Sequence, residues 1–197
     1  MPVLLPKIKE DFPNLTLNIV EAQTDVLLRK ISSGEIELAI LALPFETSGF
    51  NVHKFWIENF FWISKKEDPR SKKKSIKAKE LDLDELIMLE EGNCLKDHIL
   101  NACKIKNTSK ITFNASTLST SIELVKGGIG TTLVPEMAVN KLLSANPELA
   151  KTELDEKGPH REIALVSRMN YSGERDIDKL IHLFTKELKD HKNIKVS

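Results

Sequence analysis

At 197 residues, with 41% hydrophobic and 29% charged content, the chain has the make-up of a globular protein able to bury a core without disulfide staples. Its 29 basic residues balance 29 acidic ones, so it lacks the basic excess of a chain built mainly to hold nucleic acid. There is no long uncharged run to predict a transmembrane helix, and MPVLLPKIKEDF has no signal-peptide layout, so a cytoplasmic protein with no membrane partner is expected.

In chain order, residues 3–11 predict a short helix, broken at Phe12-Pro13 because proline disfavours helix in the residue before it. LTLNIVEA (15–22) alternates in part and predicts a strand. Thr24-Asp25 offers an N-cap to a helix over VLLRKIS (26–32), which stops at Ser33-Gly34. IELAILAL (36–43) is a nearly continuous apolar run, as in a strand covered on both faces of a parallel sheet. Strand, helix and strand together predict a βαβ unit. VHKFWIENFFWIS (52–64) is rich in aromatic and β-branched residues and predicts an extended segment. A basic run follows: Lys65, Lys66, Arg70, Lys72, Lys73, Lys74, Lys77 and Lys79. No aromatic residues interleave with these charges, so the run reads as a solvated loop entering a helix near 78–83, not as a nucleic-acid patch.

Further along, LIMLE (86–90) predicts a strand and the stretch from Leu95 a helix. ITFNAS (111–116) predicts a strand, and 118–126 a helix. GGIGTTLVP (127–135) predicts a glycine-rich turn into a strand, with a helix starting in MAVNKLL. EIALVSR (162–168) predicts a strand, and 176–191 an amphipathic helix with Ile177, Leu180, Ile181, Phe184 and Leu188 on one stripe. The alternation predicts an α/β fold of mostly parallel sheets. Two such units, divided near 52–64, would place a binding crevice between them at the carboxyl ends of strands.

The two cysteines are too few for a disulfide framework, and C-x8-C is neither a thioredoxin-like C-x-x-C nor a metal-site spacing. Neither a metal site nor a cofactor is expected. Cys94 follows a predicted strand and opens a predicted helix, where positive partial charge favours the thiolate that attacks peroxide. Lys96 could add to this. Cys103 shares a helix face with Leu95, Ile99 and Leu100 and is expected to be buried. His98, the one histidine close by, is expected on the surface. An intact helix would separate the two Cα atoms by roughly 13 Å, beyond the ~7 Å reach of a disulfide. Bridging would therefore require the helix to unwind or move. From the spacing alone, two unrelated buried cysteines remain the simpler reading.

Five segments, LIMLEEGNCLKDHILNAC, VEAQTDVLLRKISSGEIELAILAL, FNASTLST, GGIGTTLVPEMAV and HREIALVSR, resemble the regulatory domain of peroxide-sensing LysR-type transcriptional regulators. The resemblance is nearly collinear and covers almost the whole chain. It implies a periplasmic-binding-protein-like α/β fold of two Rossmann-like subdomains, residues 1–57 with 165–197, and residues 58–164. It implies that Cys94 is the peroxide-reactive cysteine and Cys103 the resolving one. Thr24, Asn93, Lys96, Asp97 and Arg161 match peroxide-pocket positions, the Thr24 hydroxyl placing a peroxide oxygen and Arg161 stabilising thiolate. Thr24 as an N-cap, Asp97 as a first-turn charge and Arg161 as a surface charge are the ordinary readings of the same residues.

The resemblance further implies a sensor rather than an enzyme. Hydrogen peroxide would change the packing of a homodimer or homotetramer, and so promoter DNA and RNA polymerase contacts, with glutaredoxin or thioredoxin as reductant. Three features depart from the family. Asn93 stands where the family has His and cannot carry a proton or charge; Lys96 stands where it has Arg and loses the planar fork. The winged helix-turn-helix, the linker helix and the first strand, which carries another pocket Thr, have no counterpart in the sequence. The rival readings are a LysR-type domain sensing a small metabolite in the interdomain crevice, with incidental cysteines, and a thiol peroxidase. The second lacks a T-x-x-C around Cys94.

Overall fold

The computed structural model describes residues 4–106 and 111–193; the ends of the expected subdomain ranges and Val3 of the first predicted helix lie outside them. The elements run α1 (Leu4–Asp11), α2 (Thr24–Ser33), β1 (Leu38–Leu43), β2 (Phe50–Glu58), β3 (Phe60–Lys65), β4 (Ser75–Ile76) and β5 (Ile87–Leu89). There follow α3 (Cys94–Ala102), β6 (Phe113–Ala115), α4 (Leu118–Lys126), β7 (Thr132–Pro135), α5 (Glu136–Ala145), β8 (Leu149–Leu154), β9 (Arg161–Arg168) and α6 (Glu174–Asn193). The chain divides into two units: one runs up to Trp56 and resumes at Glu162, the other is Ile57–Arg161. The first crossing falls inside the aromatic stretch, which is two strands in different sheets, β2 and β3, split at Asn59.

The first unit holds a three-stranded sheet of order β1-β9-β2, with β1 antiparallel to β9. Both faces of this sheet are covered. Leu165 packs with Leu4 and Ile8 of α1 and with Ile177, Leu180, Leu183 and Phe184 of α6. Ala164 and Val166 point the other way, against Ala39, Leu41 and Ile31 of α2. Two covered faces leave no polar side to β1, which is why IELAILAL reads as a continuous apolar run.

The second unit holds a four-stranded sheet, β4-β8-β3-β7, and a two-stranded one, β5-β6. Phe60, Trp62, Ile63, Leu133, Val134, Leu149 and Leu154 sit in its core. An isolated parallel bridge joins Leu86 to Thr131. A Cβ on Gly130 would come within 2.1 Å of the Glu85 carbonyl oxygen, so this close approach requires the glycine-rich turn.

Several expectations are corrected. The predicted strand at 15–22 pairs with nothing among the described residues, and Leu15, Leu17, Ile19 and Val20 stay exposed. Alternation cannot supply the neighbouring backbone that a strand needs, so the expected βαβ unit lacks its first strand. The sheets are not mostly parallel: β1–β9, β3–β7 and β3–β8 are antiparallel, and β4–β8 and β5–β6 parallel. Strand β9 follows Gly158-Pro159-His160 directly after the second unit, with no helical crossover from β1, so nothing turns it parallel. The helix expected near 78–83 is only a short 3-10 turn, Ala78–Glu80. Strand β8, LAKTEL, carries no strong strand signal, yet Leu149, Thr152 and Leu154 are buried in it.

Candidate functional site

Buried strand β5 delivers the chain to a turn in which Gly92 takes φ 83°, a left-handed conformation suited to glycine. Asn93 then caps α3: its side-chain oxygen accepts from the Leu95 N–H at 3.1 Å. Cys94 is therefore the first residue of the helix, half-buried, at the positive end of the dipole. Lys96 lies in the same turn, but its Nζ donates to Glu91 Oε1 at 2.9 Å. That hydrogen bond holds the Glu91 carboxyl below its ordinary range. Asp97 is exposed in the first turn, where a negative charge suits the dipole. The residue in the family's His position thus serves the helix as a cap.

At the other end Cys103 is the C-cap residue and is 8% exposed. It packs in the core with Leu95 and Ile99, as expected from their shared face. Burial, aided by the Glu156 carboxylate, pushes its thiol up to about 12. Three backbone bonds close the helix: Cys103 N–H to Ile99 O at 2.9 Å, Lys104 N–H to Asn101 O at 3.2 Å and Ile105 N–H to Leu100 O at 2.9 Å. This is the Schellman arrangement, usually built on glycine; here Lys104 occupies the left-handed position at φ 53°. Both cysteines are free thiols at opposite ends of an unbroken helix. His98 is buried at 4% exposure, against expectation. With Leu95 and Ile99 it forms a 0, 3, 4 stripe, so the inward face of α3 is wide enough to take it.

The structure brings Asn93, Cys94, Lys96 and Asp97 onto one turn. Arg161, the first residue of β9, is placed with Glu58 instead: its Nη1 donates to Glu58 Oε1 at 3.3 Å. Glu58 is 2% exposed, and its other oxygen accepts the Met137 N–H at 3.0 Å at the start of α5. This buried carboxylate was missed by sequence reasoning; its signal is an acid inside the apolar run WIENFFW. Thr24 lies in the other unit as the first residue of α2 and is half-buried. The cap position of that helix is Gln23, so the expected Thr24 N-cap is corrected. Among the described residues no group of three or more His, Cys, Asp or Glu could hold a metal ion. No described helix is long and apolar enough to cross a membrane.

A strand that opens through a glycine turn onto a capped helix, in a two-unit α/β frame, now stands beside known proteins. Residues 1–189 match the LysR substrate binding domain family. The chain belongs to this family. It is 35% identical over 187 residues to the HTH-type transcriptional regulator EstR of Acinetobacter baylyi, covering 91% of this chain and 60% of that protein. It is 33% identical over 178 residues to a probable hydrogen peroxide-inducible genes activator of Mycobacterium avium, covering 89% of this chain and 57% of that protein. The reduced regulatory domain of OxyR2 from Vibrio vulnificus superposes with a TM-score of 0.83 at 31% identity, covering 93% of this chain and 87% of that one. The chain thus spans about 60% of the length of the curated relatives it matches. The periplasmic-binding-protein-like α/β fold and the likeness to OxyR regulatory domains follow from these matches.

Proposed function

We propose that the chain is the redox-sensing regulatory domain of a hydrogen-peroxide-responsive LysR-type transcription regulator. The observation that carries this reading is the placement of its two thiols, one half-buried at the start of α3 and one buried at its C-cap. Cys94 thiolate attacks one peroxide oxygen; the O–O bond breaks, hydroxide leaves and Cys94 becomes a sulfenic acid. Cys103 sulfur then attacks that sulfur, the S–O bond breaks, and water leaves with the Cys103 proton. Nine helical positions separate the two Cα atoms by roughly 13 Å, so the second step requires residues 95–102 to unwind or move.

Asn93, Lys96 and Asp97 form the peroxide pocket beside Cys94; Thr24 and Arg161 are the further pocket positions that the family resemblance implies. Disulfide formation remodels the domain and its homodimer or homotetramer. That alters promoter contacts made through an N-terminal DNA-binding domain, and RNA polymerase recruitment, until glutaredoxin or thioredoxin reduces the bond. Mass spectrometry after mild peroxide tests this: a Cys94–Cys103 disulfide at stoichiometric yield is expected, and intact thiols would overturn it. A second reading, a domain that senses a small metabolite with incidental cysteines, draws on the likeness to EstR, whose name carries no peroxide function. In that case Cys94→Ser would leave ligand-dependent regulation intact.

A further inference from the structure

A cavity of about 460 Å³ opens at the C-terminal end of α3, wholly inside the Ile57–Arg161 unit. Leu81, Leu83 and Ile105 give it an apolar wall, and Cys103 contributes to its lining. Four lysines line it: Lys77, Lys79, Lys104 and Lys106. The single carboxylate is Glu156, and one of its oxygens already accepts the Ala78 N–H at 2.9 Å. Four lysines against one glutamate leave three positive charges around the cavity. Among the described residues none of the four forms an ion pair, whereas Lys73, Lys96 and Lys126 each do. All four lysines are exposed, so water screens their mutual repulsion, but their excess positive charge attracts an anion that enters the space. The volume falls in the range of small-molecule sites, roughly 300–1,000 Å³.

We infer that this cavity binds a small organic polyanion, with two or more carboxylate or phosphate groups on an apolar body, and that its occupancy restrains Cys103. The charged groups meet the lysines, and the body covers Leu81, Leu83 and Ile105; an inorganic ion would leave that wall wet. Cys103, Lys104, Ile105 and Lys106 are consecutive lining residues and include the turn that closes α3. A ligand joining this turn to Lys77 and Lys79 stabilises the closed helix end, the state that keeps Cys103 from Cys94. The restraint rests on the redox reading proposed above; the binding does not.

The test titrates the reduced chain with phthalate by calorimetry, beside neutral phthalamide and inorganic phosphate. Saturable one-site binding of phthalate is expected, with none by phthalamide. A Lys79→Glu/Lys106→Glu double variant should bind at least about tenfold more weakly; both side chains are exposed, so the fold is kept. Saturating phthalate should slow peroxide-driven disulfide formation about threefold in the parent and not in the double variant. Absent saturation, equal affinity for inorganic phosphate, or undiminished binding by the double variant would overturn the site. Binding with an unchanged disulfide rate would overturn the restraint. If the ligand-free chain forms no disulfide, the redox reading fails and the restraint with it, while calorimetry still decides the site.

Discussion

At the N-terminal end of α3, Cys94 is half-buried beside a capping Asn93; at the C-terminal end, Cys103 is 8% exposed, inside the core, under a turn that places Lys104 at φ 53°. One helix thus holds two identical side chains in opposite circumstances. The first is half-buried at a helix start, where a small oxidant can reach it. The second is held protonated by burial and behaves as a small hydrophobe. The difference teaches that position along one element sets which of two like side chains is open and which is buried; on the proposed mechanism, the packing between them is the barrier to the disulfide.

Removing the far sulfur breaks the comparison most completely. On the proposed mechanism, Cys103→Ser abolishes the intramolecular disulfide, and Cys94 stops at sulfenic acid or over-oxidises, as dimedone labelling and mass spectrometry would detect. A disulfide-dependent conformational change surviving in Cys94→Ser would refute the assignment of the near sulfur.

Ile99→Ala attacks the packing that separates the two ends. Ile99 is 2% exposed, beside Leu95 and Cys103. Loss of its side chain should cost about 2–5 kcal/mol in urea unfolding and speed disulfide formation by loosening α3.

The raised value at Cys103 has a pH signature. Its folded-state value lies near 12, above the ordinary 9.0. The stability it contributes is therefore fully present below pH 9 and lost as pH rises toward 12. Unfolding free energies should fall above pH 9 by at most about 1.4 kcal/mol per pH unit. Cys103→Ala should flatten that slope, and an unchanged slope would contradict the burial argument. At neutral pH iodoacetamide should modify Cys94 well before Cys103.

Two smaller substitutions sharpen the contrast from opposite ends. Asn93→Ala removes the cap and should cost about 1 kcal/mol, read as faster amide exchange in the first turn of α3. Lys104→Gly relieves the left-handed lysine. The relief, about 1 kcal/mol, is partly cancelled by the freedom that glycine adds to the unfolded chain. A net gain of about 0.5 kcal/mol and slower disulfide closure are expected.

Legibility followed the same division. Cys94 at a helix start and Cys103 on the buried face were both readable, because apolar spacing along a helix is a local property. So was the amphipathic tail, now α6. His98 was misjudged, because an isolated histidine says nothing about how wide the buried face of its helix is. Glu58 was missed as a partner of Arg161, because 103 residues separate them and no local pattern couples them. The strand at 15–22 was read from alternation and is absent, whereas β8 has weak alternation and is present. Strands are settled by neighbours, and neighbours are a matter of the whole fold.

By itself the sequence determined the α/β alternation, both ends of the cysteine-bearing helix and the family likeness, because periodicity, caps and motif spacing are written in consecutive residues. Only the tertiary structure decided which strands pair antiparallel, that Arg161 meets a buried carboxylate, and that two lysine pairs distant in sequence, Lys77 with Lys79 and Lys104 with Lys106, line one cavity beside Cys103. Each of these depends on segments that meet only when the chain has folded, so no window of consecutive residues contains them.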